Sequence, residues 1–409
     1  MKRLLSVALG VLTAIGGFVD IGDLVTNALV GARFGLNLAW VVIVGVIGIS
    51  LFAEMSGRVA AISGRATFDL IRERLGPRVA LLDLIGSVAV TLLTFIAEIG
   101  GVALALELAT SVNYLLWVPL CGLAVWLVLW RVKFSLVENV FGMVGLTLIV
   151  FAVVVWQLGP DWGALWEQAS RPDVPATEGV PTYWYYAVAL FGAAMTPYEV
   201  FFFSSGGVEE HWSTKDLSTM RLNVLVGFPL GGLLSLAIAT STALILMPAG
   251  IEVNTLGQVA LPAAQELGKI GLAVALIGFF AATFGAACET GLSVGYSVAQ
   301  YFGWQWGKFV RPREASLFHV LLLLSTITAV AVLLTTVDPI KVTEYSVVFS
   351  AVALPLTYFP ILVVANDRDY MGEHVNGRFS NALGQVYLVL VTVTAVAAIP
   401  LLLITKAGQ

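Results

Sequence analysis

The chain has 409 residues, of which 59% are hydrophobic and only 11% charged, with a net charge of −5 and a mean hydropathy of +0.93. Soluble domains carry about 25% charged residues, so this composition excludes a water-solvated globule and points to a lipid bilayer as the surrounding medium. Cys121 and Cys288 lie in apolar runs, without a disulfide or zinc-ligand spacing, and His211, His319 and His374 are scattered, which argues against a histidine-based metal site.

The basic start Met1–Arg3 leads into an apolar run that continues past Asp20 and Asp23 without a small-residue cleavage site, so it reads as a first span and not as a signal peptide. Apolar stretches of about 20 residues mark membrane-crossing helices. Eleven are expected, over 5–31, 36–57, 79–108, 113–130, 134–158, 183–207, 222–248, 270–302, 316–336, 342–365 and 382–405. Connections are short except for an acidic, proline-rich loop at 159–182. A cytoplasmic N-terminus puts sixteen of the twenty-one Lys and Arg residues inside and leaves Arg33, Arg171, Lys269, Lys341 and Lys406 outside. That bias follows the positive-inside rule, puts the C-terminus outside, and for a bacterial source places the chain in the inner membrane.

No Lys or Arg occupies the middle of a span, yet Asp20, Asp23, Glu98, Glu199 and Glu289 do. An ionisable group at the centre of an inserted helix costs about 2.5–3.5 kcal/mol even on lenient scales. These acids must face the bundle interior, a water-filled path or one another, and without basic partners they are neutralised by protons or by a bound cation.

The first span contains Gly16-Gly17-Phe18-Val19-Asp20-Ile21-Gly22-Asp23 and the sixth Gly192-Ala193-Ala194-Met195-Thr196-Pro197-Tyr198-Glu199. Laying Gly16 on Gly192 brings Asp20 over Thr196, Ile21 over Pro197 and Asp23 over Glu199. Glycine weakens one helix at this point, and proline removes a hydrogen bond from the other. Freed backbone groups at that depth are tolerated only where they line a cavity. Interruptions at matching positions of two halves point to a transporter's binding site. The expected organisation is one membrane domain, with an inverted repeat of five helices in 1–158, its second copy in 183–365, and helix 11 at 382–405.

Asp20-Ile21-Gly22-Asp23, followed by Gly31-Ala32-Arg33-Phe34-Gly35, resembles the Asp-Pro-Gly-Asn signature and flank of the Nramp (natural resistance-associated macrophage protein) divalent-metal transporters. Thr196-Pro197-Tyr198 resembles that family's Met-Pro-His element, and the loop from Asn366 to Arg378 its Ser-Asp-Arg…Met-Gly-Glu-x-Val-Asn-x-Arg loop. Ala97-Glu98-Ile99-Gly100 and Glu138 also fit. The resemblance implies an all-α, LeuT-type fold with helices 1 and 6 unwound at the midplane. It implies Asp20 as a metal ligand, and a proton pathway through Asp20, Glu98 and Glu138. Asp23 takes the place of the ligand asparagine, Ile21 of the proline, Thr196 of the thioether-bearing methionine and Tyr198 of the histidine associated with proton movement.

The expected ligand set is Asp20, Asp23, Thr196 and Glu199, together with freed carbonyls. Oxygen ligands suit Mg²⁺, Ca²⁺ and Mn²⁺, whereas thioethers suit softer metals, so the expected cargo is Mg²⁺ or Mn²⁺ over Fe²⁺ or Cd²⁺. A register slip at Met195 would bring sulfur back. A proton path using Asp20 or Glu199 with Glu98 is one reading of the excess negative charge. Uncoupled passage is the other, since a potential drives a cation inward at about 2.3 kcal/mol per charge per 100 mV. Two further alternatives are a symporter of a cationic or dipolar organic solute on the same fold, and a non-transporting sensor. No nucleophile–base pair, phosphate loop or cofactor motif is present, so neither an enzyme nor a resident cofactor is expected, and no nucleic-acid partner.

Overall fold

The computed structural model describes residues 18–132 and 134–408, with the side chains of 134–139 excepted. Ten helical stretches among the described residues are long and apolar enough to cross a membrane, and they correspond to the second to eleventh expected spans. Of the first span the structure describes Phe18 onward, including α1 (Ile21–Phe34). Gly16, Gly17 and the residues before them lie outside the described residues, so ten of the expected eleven spans are accounted for.

After α1 come α2 (Ala39–Ser63), the short surface helix α3 (Thr67–Leu75), α4 (Pro77–Thr110) and α5 (Tyr114–Arg131). Left-handed Gly64 stops α2, and Asn113 opens α5 by accepting the Leu115 N–H at 3.0 Å. The fifth span is α6 (Phe134–Gly145) and α7 (Val150–Leu158), joined by a 3₁₀ turn. In the expected loop at 159–182 the chain instead forms α8 (Trp162–Ser170), capped by Asp161. Trp162 and Trp166 are exposed there, as suits a helix lying at a membrane–water interface.

The sixth span is split into α9 (Val180–Ala194) and α10 (Pro197–Glu209). It is followed by α11 (Leu217–Ala249) and α12 (Leu256–Phe302). At roughly 1.5 Å per residue, the 47 residues of α12 exceed twice the roughly 30 Å of a hydrocarbon core. Gly268, at φ +62°, kinks it with a conformation open to glycine. Its N-terminal arm, begun by a Thr255–Gln258 capping box, escapes a hydropathy reading because Gln258, Gln265, Glu266 and Lys269 dilute the apolar pattern. Then come α13 (Ser316–Leu334), α14 (Pro339–Ala365), the one-turn α15 (Arg368–Met371) and α16 (Arg378–Ile404).

The most enclosed span is the broken one, α9–α10, with 94% of its apolar window buried, against 17% for α16 at the lipid-facing edge. Around it α4 packs on α12 and α14, α1 on α11, and α10 on α2. Small residues let these backbones close up, as membrane helices require in the absence of a hydrophobic force between them. A β-carbon on Gly31 would stand 2.1 Å from the Ala239 carbonyl oxygen, and one on Gly192 2.1 Å from that of Val347.

Among the described residues the ion pairs lie at the two ends of the bundle. At one end Arg33 forks onto Glu178 at 2.8 and 2.9 Å and reaches the Gly408 carbonyl at 2.7 Å. At the other, Glu54 accepts from Arg221 at 2.8 Å and from Arg58, which also meets Asn376 and the His374 carbonyl. Each of these groups meets only residues that the charge bias assigns to its own side.

Gly192→Ala should lower the melting temperature in detergent by several degrees, since overpacking costs about 1–3 kcal/mol. Gly145→Ala, at a helical position with no neighbour within 4 Å, should leave it unchanged. Equal melting temperatures would show that α9 and α14 do not approach so closely.

Candidate functional site

Local sequence rules produce both breaks. Val19 and Asp20 lie outside helix, and Asp20 is extended at φ −101°, ψ −178°. Its Oδ1 accepts the Asp23 N–H at 2.8 Å, which caps α1. In the other break Pro197 is the first residue of α10, where its missing N–H leaves nothing unsatisfied. A residue before proline is pushed out of the helical region. Thr196 accordingly sits at φ −64°, ψ 132°, and its side chain makes no capping bond. Met195 ends α9 at φ −125°, ψ 51°. The two helix starts, Ile21 and Pro197, fall on the residues that the alignment of the two segments superposes.

Ile21 carries the N–H that a proline would lack, and it donates that N–H to Glu98 Oε1 on α4 at 3.0 Å. Tyr198 joins the breaks, its hydroxyl donating to Asp20 Oδ2 at 3.2 Å. The Tyr358 hydroxyl on α14 donates to the freed Met195 carbonyl at 3.2 Å, and the Ser293 hydroxyl on α12 to the Tyr198 carbonyl at 3.2 Å. Asp23 accepts from Asn27 Nδ2 at 2.8 Å and from the Ser235 hydroxyl on α11 through a short hydrogen bond.

Glu199 is buried in the first turn of α10 and lies within electrostatic range of Glu289, Asp20 and Asp23. Glu98 Oε2 and Glu289 Oε2 are buried without a hydrogen-bond partner. All five acids are at most 7% exposed. Among the described residues none of them forms an ion pair, and the ion pairs found lie in the end regions of the bundle. The resulting region is rich in carboxyl, hydroxyl and carbonyl oxygens, and among the described residues no base is ion-paired with its acids. Its chemistry is the binding and passage of positive charge.

The predicted ligands Asp20, Asp23, Thr196 and Glu199 therefore all sit at two connected helix breaks. They do not surround one point: among the described residues no three His, Cys, Asp or Glu side chains converge closely enough to hold a metal ion. Asp23 turns toward α11 and Asp20 toward Tyr198. The Met195 sulfur packs at α2, 2.6 Å from where a β-carbon on Gly48 would stand. The Glu138 side chain lies outside the described residues. Sequence reasoning missed Asn27, Ser235, Ser293 and Tyr358 as partners of the site, and kept Glu289 out of it. Asn27 was discoverable, since it follows Asp23 by one helical turn. The hydroxyl residues carried no signal, because serine and tyrosine occur throughout the apolar spans.

A family model described as natural resistance-associated macrophage protein-like matches residues 10–400. The chain is 26% identical over 388 residues to the divalent metal cation transporter MntH of Pectobacterium carotovorum, covering 92% of this chain and 89% of that protein. Its fold is similar to that of the Eremococcus coleocola manganese transporter, with a TM-score of 0.68 at 19% identity over 96% of this chain and 85% of that one. It also resembles Mhp1, a nucleobase-cation-symport-1 family transporter, with a TM-score of 0.62 at 16% identity over 98% of this chain and 91% of that one. The chain belongs to the Nramp family of membrane metal-ion transporters.

Proposed function

We propose that this protein carries a hard divalent cation, Mn²⁺ or Mg²⁺, across the membrane by alternating access at the α1 and α9–α10 breaks. The observation that carries the proposal is a set of five buried carboxyl groups around those breaks with no basic partner among the described residues. A relative described as a divalent metal cation transporter and a fold neighbour described as a manganese transporter support it. Asp20, Asp23, Glu199 and Thr196 serve as ligands, and the set contains oxygen only. Mg²⁺ and Mn²⁺ accept such a set, and Mg²⁺ keeps part of its water.

Coordination requires rearrangement, because Asp20 and Asp23 already accept hydrogen bonds from Tyr198, Asn27 and Ser235. A cation that draws Asp20 away from the Tyr198 hydroxyl loosens the link between α1 and α10. Binding is thereby coupled to movement of one half-helix against the other, as a bistable packing requires. The N-terminus is placed in the cytoplasm and the C-terminus outside on the distribution of Lys and Arg.

The test is uptake of Mn²⁺, Mg²⁺, Ca²⁺, Fe²⁺ and Cd²⁺ into proteoliposomes, measured side by side. Mn²⁺ or Mg²⁺ should enter in preference to Cd²⁺ and Fe²⁺, and the reverse order would sink the selectivity argument. Asp20→Asn should reduce uptake by at least the roughly 10–100-fold that loss of an outer-shell partner costs a metal site. Thr196→Met should raise Cd²⁺ uptake relative to Mn²⁺, by the preference of softer ions for a thioether. Saturable binding of an organic amine with no response to any metal would instead favour a solute carrier.

A further inference from the structure

α1 begins at the Asp20 break and α9 ends at the Met195 break, and the two half-helices pack together up to the end of the bundle that carries Arg33. They therefore stand between the site and that end. Their far ends meet through rings: Phe34 packs on Tyr183 and Tyr186 with centroids 6.0 and 5.4 Å apart, and the Tyr183 hydroxyl donates to the Asn37 carbonyl at 3.1 Å. Arg33 joins four segments at this level. It sits on α1, donates to the Tyr186 hydroxyl on α9 at 3.0 Å, forks onto Glu178 in the segment before α9, and donates to the Gly408 carbonyl at 2.7 Å. Its guanidinium also lies 5.1 Å from the centre of the Tyr186 ring.

The tail that supplies the last of these contacts is folded back under strain. Beyond α16 the chain reverses through Lys406, Ala407 and Gly408, at φ +50°, +62° and +85°. Residues with a β-carbon avoid this left-handed region, and such strain persists only where the surroundings hold it. Local bonds hold part of it: the Ala407 N–H reaches the Leu402 carbonyl at 2.9 Å and the Gly408 N–H the Thr405 carbonyl at 3.0 Å. Contacts with the half-helices hold the rest. Gly408 is buried against Tyr186, where a β-carbon would stand 2.5 Å from the hydroxyl oxygen. The lipid-facing α16 is thus hooked onto the two half-helices of the site. Water reaches the hook, since the Arg33 and Glu178 side chains are 22% and 13% exposed. Its release strands no charge in apolar surroundings, as parting a fully buried pair would.

We propose that Arg33 and the folded-back tail Thr405–Gly408 form a clasp that holds α1 and α9 closed over the breaks from this end of the bundle. The site opens to this face when Arg33 lets go of the Gly408 carbonyl and the tail swings off Tyr186. The reading rests on the proposed function in that alternating access is what makes α1 and α9 part here. Unhooking a four-residue tail leaves the packing of α16 on α14 in place, so the clasp opens and recloses without dismantling the bundle.

The experiment uses the full chain in sealed vesicles of either orientation, with Val347→Cys as reporter and a charged, membrane-impermeant thiol reagent as probe. Val347 lies between the half-helices beside both breaks, its Cγ1 2.8 Å from where a β-carbon on Gly22 would stand and its carbonyl oxygen 2.1 Å from one on Gly192. Cys121 and Cys288 are buried, and the chain with those two alone sets the background. Reagent on the face that carries Arg33 should react slowly with Val347→Cys. Adding Arg33→Gln should accelerate that reaction about fivefold or more, the population shift that loss of one hydrogen bond produces. Gly408→Val should do the same by lifting the tail off Tyr186. Reagent on the opposite face should show no acceleration. An unchanged rate on the Arg33 face in either folded variant overturns the proposal. So does equal acceleration from both faces, which a tie that merely stiffens the bundle would give. If Arg33→Gln does not elute as a folded species, Gly408→Val and Arg33→Lys, which keeps the charge without the fork, decide by the same readout. Labelling needs no cargo, so failure of wild type to carry any cation counts against the proposed function alone and leaves the clasp to be judged by these rates.

Discussion

Everything at the centre of this bundle follows from one constraint: a helix interrupted inside a membrane exposes backbone groups that lipid cannot satisfy. At the α1 break, carboxylates supply the missing acceptors. Asp20 takes the Asp23 N–H and Glu98 takes the Ile21 N–H. At the α9–α10 break, a proline removes one donor and the Tyr358 hydroxyl covers a freed carbonyl. One of these capping groups, Asp20, is also a ligand in the proposed function. Under the proposed function, capping of α1 and cation binding compete for the Asp20 carboxyl group, so loading the site disturbs a helix end.

That competition gives a physical meaning to two of the four departures from the family's motifs, those at positions 21 and 198. Isoleucine in place of proline at position 21 adds a buried N–H, and Glu98 on a different helix satisfies it. Part of Glu98 is thus committed to α1, while its second oxygen stays unbonded. Tyrosine in place of histidine at position 198 puts a hydroxyl where it reaches Asp20. It also contributes a neutral donor that bridges the two breaks through a hydrogen bond, worth about 0.5–1.5 kcal/mol.

The end regions of the molecule use stronger means. Bidentate pairing of Arg33 with Glu178 holds the end of α1 to the segment before α9, and Glu54 gathers Arg58 and Arg221 at the opposite end. Charge-assisted contacts of this kind lie where water can stabilise the separated partners. The interior relies on hydroxyls and backbone groups, for which separation in a water-filled path carries a smaller penalty than parting two buried charges.

Spans, breaks and unpaired acids were legible in the chain because each is local. A 20-residue apolar run, an X-Pro step and an aspartate before a helix act within a few residues of themselves. The expected loop at 159–182 and the arm of α12 were misjudged because amphipathic or diluted helices fall below a hydropathy threshold while still meeting helical capping rules. What the sequence determined by itself is that this chain lies in lipid, is interrupted at Asp20 and Thr196, and buries acids without bases. Only the tertiary structure decided that Ser235 would hold Asp23, that the Met195 sulfur would face α2, and that Glu98 would reach Ile21. Those outcomes depend on which helix faces meet across 77 to 212 residues of chain, and rotation of one helix against another leaves no trace in the order of its side chains.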